Sequence, residues 1–167
     1  YIEFMIQRLL IFLVSCLFTS SLFSIPADVE DISYQKYFPA VKKLLHEAQN
    51  EIRISLYYIT YNPRGPVYEL MQELVGAKER CVDVEVVLDF SILRGKNRSE
   101  DMKNARAFSF LRQKGIKVFY DDEKKLNHSK YLIVDQKSVV VGSFNWSDRS
   151  LTRNYENAVI IRSAEIA

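Results

Sequence analysis

Three consecutive apolar residues, Val86-Val87-Leu88, lie inside the strand-like stretch 82–90 and constrain the fold more than any other feature of the chain. A strand with one wet face alternates apolar and polar residues, whereas an unbroken apolar run asks for burial on both faces, as in a sheet covered by helices. The flanking sequence supplies such helices. Phe38, Val41, Leu44, Leu45 and Ala48 fall on one helical face. Val67, Leu70, Met71, Leu74 and Val75 recur at the spacing of an amphipathic helix, with Pro66 suited to its first position. Residues 52–59 read as a strand between the two, rich in β-branched and aromatic side chains. A third helix starts at Ser99, with Glu100 and Asp101 favoured by the dipole of its first turn, and ends at Gly115 before a short strand at 116–120. Strands are expected at 128–134, 139–143 and 156–162, with a polar helix or loop at 147–154. The expected fold class is α/β, a mixed and largely buried sheet with helices on both faces.

At 167 residues the chain has enough material for one domain with a core and too little for two. Met5 to Arg8, an apolar run over 9–18 and a small, polar exit through Pro26 read as a signal peptide, or as an uncleaved N-terminal membrane anchor, over residues 1–27. Residues 28–167 are then expected to form a single domain, exported to the periplasm or medium, or tethered to a membrane. The chain stops where a further helix is expected, at Ser163, which leaves C-terminal truncation open. Removing the leader leaves Cys81 as the one cysteine, so no intrachain disulfide can form. Cys81 reads as a small, partly buried hydrophobe rather than a nucleophile. The net charge of +2 is too weak to demand or exclude a nucleic-acid partner.

The segment 128–145 carries the chemistry. His128 and Lys130 lie two apart on one strand and so share a face. If Gln136 and Lys137 form a tight turn, cross-strand partners sum to 273, which sets Lys130 opposite Ser143 and His128 opposite Asn145. A one-residue slip would undo that alignment. Asp135 has the wrong parity for this face and fits a turn, bonding nearby amides. A histidine, a fixed positive charge and two neutral polar groups suit a reaction at a phosphodiester.

His128-x-Lys130-x4-Asp135, followed by Gly142-Ser143-x-Asn145-Trp146 and Glu156-Asn157, resembles the HKD motif of the phospholipase D superfamily. It is most similar to the small single-motif members, the bacterial exported endonucleases and the mitochondrial phospholipase-D-like nucleases. The resemblance covers roughly residues 33–163, with 55–60 matching an earlier family strand. It implies that His128 attacks phosphorus or protonates the leaving oxygen. Lys130, Ser143 and Asn145 would hold the non-bridging oxygens, and Glu156 would bond the second nitrogen of the histidine. Trp146 is expected to pack beneath the site rather than to stack on a base.

This chemistry uses two histidines. The chain has only His128 and His46, and His46 falls in a helix away from the motif as a surface or boundary residue. The single-motif resemblance therefore implies a homodimer with a composite site. No cofactor or metal is expected: Lys130 supplies the positive charge, and Asp121, Asp122 and Glu123 read as solvated. Arg94, Lys96, Arg98, Lys124, Lys125, Arg149 and Arg153 are candidates for following a phosphate backbone, each singly more ordinary as a surface charge. The expected activity is metal-independent phosphodiester hydrolysis through a phosphohistidine, most simply by a non-specific endonuclease. The alternatives are a phospholipase D acting on phosphatidylcholine or cardiolipin and a non-catalytic binding module for nucleic acid or lipid.

Overall fold

The computed structural model describes residues 24–90, 98–122 and 124–167, and for 98–103 the backbone alone. Residues 1–23, which carry most of the leader reading, fall outside that set. Among the described residues seven strands form one mixed sheet in the order β1-β7-β6-β5-β2-β3-β4. They are β1 (Asp28–Asp31), β2 (Glu51–Leu56), β3 (Asp83–Leu88), β4 (Lys117–Tyr120), β5 (Lys130–Val134), β6 (Ser138–Gly142) and β7 (Ala158–Arg162). Strands β2, β3 and β4 run parallel, and the rest pair antiparallel. The helices are α1 (Tyr37–Glu47), α2 (Pro66–Glu79), α3 (Arg98–Gln113) and the short α4 (Asp148–Thr152).

Each helix forms for a legible reason. All five stripe residues of α2 are buried, and Pro66 occupies its first turn behind Gly65. The buried stripe of α1 is Tyr37, Val41 and Leu45, four residues apart, with Phe38 and Leu44 at its margin. Helix α3 ends at Gln113, and two residues on Gly115 turns the chain with a φ of 76°, the left-handed conformation that glycine adopts without strain. Ser147 caps α4 by accepting the Ser150 N–H at 3.2 Å.

The expected mixed α/β sheet is present, but the described helices lie along one of its faces. Ile54, Val86, Val118, Leu132, Val140 and Ile160, cross-strand neighbours on that face, are all buried. Val87 points the other way and is only half-buried, so the Val86-Val87-Leu88 run has one buried face among the described residues. Phe119, Tyr131 and Val141 are exposed on the second face.

Strand β1 falls in a polar stretch whose pattern announces no element. All four of its residues are exposed, so it carries no apolar alternation; main-chain pairing with β7 and ion pairs from Arg162 to Asp28 and Glu30 hold it. Cys81 is exposed in the turn after α2, at a φ of 69°, rather than partly buried. The tight turn into β3 turns its side chain outward.

Candidate active site

The site lies at the end of the sheet where β2, β3 and β6 stop and β5 and β7 begin. In open α/β sheets this carboxyl-terminal edge of the parallel strands is where ligands gather. His128 is exposed just before β5, and Lys130 is its first residue. The Lys130 ammonium donates to the His128 carbonyl at 2.7 Å and stands 5.1 Å from the centroid of the Tyr57 ring. The His128 ring packs against the same tyrosine, with centroids 4.5 Å apart. Tyr57 follows β2 and is joined to the histidine segment by its N–H, which donates to the Ser129 carbonyl at 2.9 Å.

A buried polar lattice fixes this segment from below. The Asn127 N–H donates to Asp89 Oδ2 at 2.7 Å, and its side-chain amide donates to Ser55 Oγ at 2.9 Å. Asn127 Oδ1 accepts the Ser129 N–H. Asn104, fully buried on α3, accepts the Ile59 N–H and donates to the carbonyls of Tyr57 and Asp89. Groups buried this deeply are tolerated because each finds a partner, and a satisfied lattice holds one geometry. Sequence reading missed Tyr57, Asn127, Asp89 and Asn104. The available signal was a set of polar residues punctuating otherwise apolar strand ends.

Glu156 is the hub of the other half. Its carboxylate accepts from Ser143 Oγ, from Ser150 Oγ at 2.8 Å and from Asn154 Nδ2 at 3.0 Å. Burial pushes its pKa up, but those three bonds and the Lys130 charge outweigh burial and hold the carboxyl below its ordinary range. Burial lowers the Lys130 pKa, and Glu156 opposes that only in part, so the net direction is down. Lys130, Ser143 and Glu156 thus form one electrostatic unit. Within the chain, no hydrogen bond joins Glu156 to His128 among the described residues.

The route by which Ser143 arrives differs from the expected one. Observed partners across β5 and β6 sum to 272, as in Leu132 with Val140, so Lys130 lies opposite Gly142 rather than Ser143. The turn causes the shift. Asp135 and Gln136 both have positive φ, at 55° and 53°, and the Lys137 N–H donates to the Val134 carbonyl. That is the φ signature of a type I′ turn, with Lys137 as an added residue. The chain then bends at Ser143, which releases it from strand parity. Gly142 permits this, since a Cβ there would overlap the Asn157 carbonyl and the Ala158 side chain. Beyond the bend Phe144 and Trp146 are buried, Phe144 stacked on Tyr37 with centroids 4.0 Å apart and Trp146 Nε1 donating to the Tyr37 hydroxyl. Trp146 packs beneath the site, as expected. Asn145 lies between these two anchors, its Oδ1 buried without a donor among the described residues.

Asp135 is not brought to the site. It sits at the far end of β5, about 20 Å from His128 at the usual strand rise. There its carboxylate accepts the N–H groups of Gln49, Asn50 and Glu51 at 2.7–3.2 Å. Burial raises its pKa and those amides, with Lys137, lower it further, leaving it below the ordinary value. A depressed carboxyl stabilises the fold above its unfolded pKa near 4, and that contribution is lost as pH falls through the lower folded value. Asp135→Ala is expected to cost about 2–3 kcal/mol, from three freed amides and a strained positive φ, and Asp135→Asn less. Urea unfolding at neutral pH and again near pH 3 measures this, and the gap between wild type and Asp135→Ala should narrow in acid.

Lys124, Lys125, Arg149 and Arg153 are exposed near the site, and none forms an ion pair among the described residues. Arg94 and Lys96 lie outside the described residues, and Arg98 is described only as backbone at the start of α3. His46 is exposed on α1, paired with Glu73 at 3.1 Å. Asp121 accepts the Phe90 N–H and Asp122 the Lys124 N–H, while Glu123 lies outside the described residues.

Comparison with known proteins agrees with this arrangement. Residues 41–167 match the family described as the cardiolipin synthase, PLD-like domain. The chain is 29% identical over 126 residues to a phospholipase D of Rickettsia bellii, which covers 75% of this chain and 57% of that protein. It is 26% identical over 123 residues to the mitochondrial cardiolipin hydrolase of Mus musculus, covering 74% of this chain and 49% of that protein. It therefore spans about half the length of these curated relatives. Among solved structures, Nuc, a phospholipase D family member from Salmonella typhimurium, superposes with a TM-score of 0.68 at 30% identity, over 84% of this chain and 89% of Nuc. A fold and site built from these residues, and a family match over three-quarters of the chain, lead to one conclusion: this protein belongs to the phospholipase D superfamily.

Proposed function

We propose that the protein is a metal-independent phosphodiesterase, with a phosphohistidine intermediate and nucleic acid as its substrate. The observation that carries the reading is His128 exposed beside Lys130, whose ammonium is held between the His128 carbonyl, the Tyr57 ring and the Glu156 charge. An imidazole nitrogen attacks phosphorus, and Lys130 neutralises charge developing on the non-bridging oxygens with the help of Ser143 and Asn145. The phosphorus–oxygen bond to the leaving group breaks as a second imidazole delivers a proton to that oxygen. Water, deprotonated by the same second imidazole, then displaces His128 and releases the phosphomonoester.

His46 is on the helical layer, engaged with Glu73, and does not supply that second imidazole. The reading therefore takes it from His128 of a second copy, across a two-fold axis that joins two half-sites. Lys124, Lys125, Arg149 and Arg153, beside the site and without an ion pair among the described residues, support a polyanionic substrate. Export through the N-terminal segment, or tethering by it, is part of the same proposal. A phospholipase D activity is the second reading, and the names of the Rickettsia and mouse relatives favour it.

The test is hydrolysis of single-stranded DNA, duplex DNA, RNA and phosphatidylcholine or cardiolipin vesicles, all in EDTA, with His128→Ala as control. Cleavage of oligonucleotides in chelator, lost in the variant, is the expected result. Head-group release without nuclease activity would establish the second reading, and a requirement for added divalent ion would remove the metal-independent mechanism.

A further inference from the structure

Two tyrosines beside Glu156 play little part in the core. Tyr155 is 91% exposed, and the ring of Tyr34 meets it edge-on with centroids 5.7 Å apart. A ring that open contributes almost nothing to the core. Tyr34 is itself half exposed, at a φ of 55°, a conformation that costs free energy for a bulky residue. The chain nevertheless holds it there: the Tyr34 N–H donates to the Glu156 carbonyl at 3.1 Å, and the Ile32 N–H to the Ala158 carbonyl at 3.0 Å. The aromatic pair is thereby pinned to the backbone of the residue that organises Ser143 and Lys130.

Beside the pair lie Arg149 on α4 and Arg153 at its end, both exposed and without an ion pair among the described residues. Their helix is held to the site through Ser150, which donates to Glu156. An open aromatic face one residue from Glu156, next to guanidinium groups that form no ion pair among the described residues, matches how single strands are held. Bases stack on rings, while cations follow the phosphates.

We propose that Tyr155, braced by Tyr34, is a stacking platform for a nucleobase flanking the scissile phosphate, making single-stranded nucleic acid the preferred substrate. This rests on the nuclease reading above and names its substrate class. A duplex is disfavoured because its bases are already stacked on one another and expose no face to Tyr155. Tyr155 is a specificity residue and takes no part in bond making.

The experiment uses the full chain and compares kcat/KM on oligothymidylate, on an abasic oligonucleotide of the same length and charge, and on duplex DNA. The wild-type protein should prefer oligothymidylate over the abasic strand by roughly five- to a hundredfold, the range expected from one stacked base. Tyr155→Ala should erase that preference, mainly through KM, and Tyr155→Phe should keep it. Hydrolysis of methyl p-nitrophenyl phosphate should be unchanged in both variants. The Tyr155→Ala loss should also be the same at low and raised salt, whereas Arg149→Ala with Arg153→Ala should flatten the salt dependence.

Equal cleavage of base-bearing and abasic strands by wild type, or a Tyr155→Ala protein that still discriminates, would overturn the platform while leaving the nuclease reading standing. No cleavage of any oligonucleotide, with vesicles hydrolysed instead, would overturn the nuclease reading itself and the platform with it.

Discussion

His128→Ala is expected to lower phosphodiester turnover by about 10⁴-fold or more, because in the proposed mechanism the substitution removes both the attacking nitrogen and the proton donor of a paired site. The side chain is exposed and, among the described residues, its ring meets only that of Tyr57, so thermal unfolding should stay within about 1 kcal/mol of wild type. That separation of activity from stability distinguishes a reacting histidine from a packed one. Mixing makes the prediction sharper. If each site takes one histidine from each copy, heterodimers of wild type and His128→Ala contain only half-equipped sites. A random equal mixture then retains about one quarter of the wild-type activity, the share that re-forms as wild-type pairs. Retention of about one half, linear in the wild-type fraction, would mean that each chain works alone. Light scattering of an active monomer would carry the same message.

Glu156→Gln should have the second-largest effect, a fall of roughly 10²–10³-fold with a characteristic pH signature. The amide nearly preserves shape and can still accept from Ser150 and Asn154, but it no longer places a negative charge near Lys130. In the proposed mechanism Lys130 must be protonated to neutralise the phosphate oxygens. Burial already lowers its pKa, and Glu156 is the charge that opposes this, so removing that charge lowers it further. The alkaline limb of the pH–rate profile should therefore move to lower pH in Glu156→Gln. An unmoved alkaline limb, with the rate reduced uniformly, would mean that Glu156 acts only by holding Ser143, Ser150 and Asn154 in place. Glu156→Ala should add a stability loss, because it leaves those three donors without their acceptor.

Much of this site is legible in the residue pattern alone. His128, Lys130, Ser143 and Asn145 stand out because their chemistry and spacing are local, Glu156 enters through the family resemblance, and Pro66 with Val67, Leu70, Met71, Leu74 and Val75 declares α2 by a local rule of the same kind. Features that depend on a partner distant in sequence are not legible in that way. β1 has no apolar alternation to announce it and exists because the edge of β7 offers it main-chain partners. Tyr57 becomes a site residue only when β2 pairs with β5, since 71 positions separate it from His128. Asp135 belongs to the motif by spacing, yet the amides that use it come from residues 49–51 across the sheet.

The hairpin shows where that boundary falls. The residue types alone pointed His128, Lys130, Ser143 and Asn145 toward phosphodiester chemistry, and the family resemblance added Glu156, since side-chain charge and hydrogen-bonding capacity do not depend on the fold. Periodicity likewise determined most of the helices and strands, β1 being the exception. Only the tertiary structure decided the register and the meeting of the groups. Asp135 and Gln136 took the left-handed turn, shifting every cross-strand pair by one, and the bend after Gly142, possible because β7 packs where a Cβ would stand, brought Ser143 back to Glu156. Register and bends are set by contacts between distant segments, whose free energies no local pattern encodes.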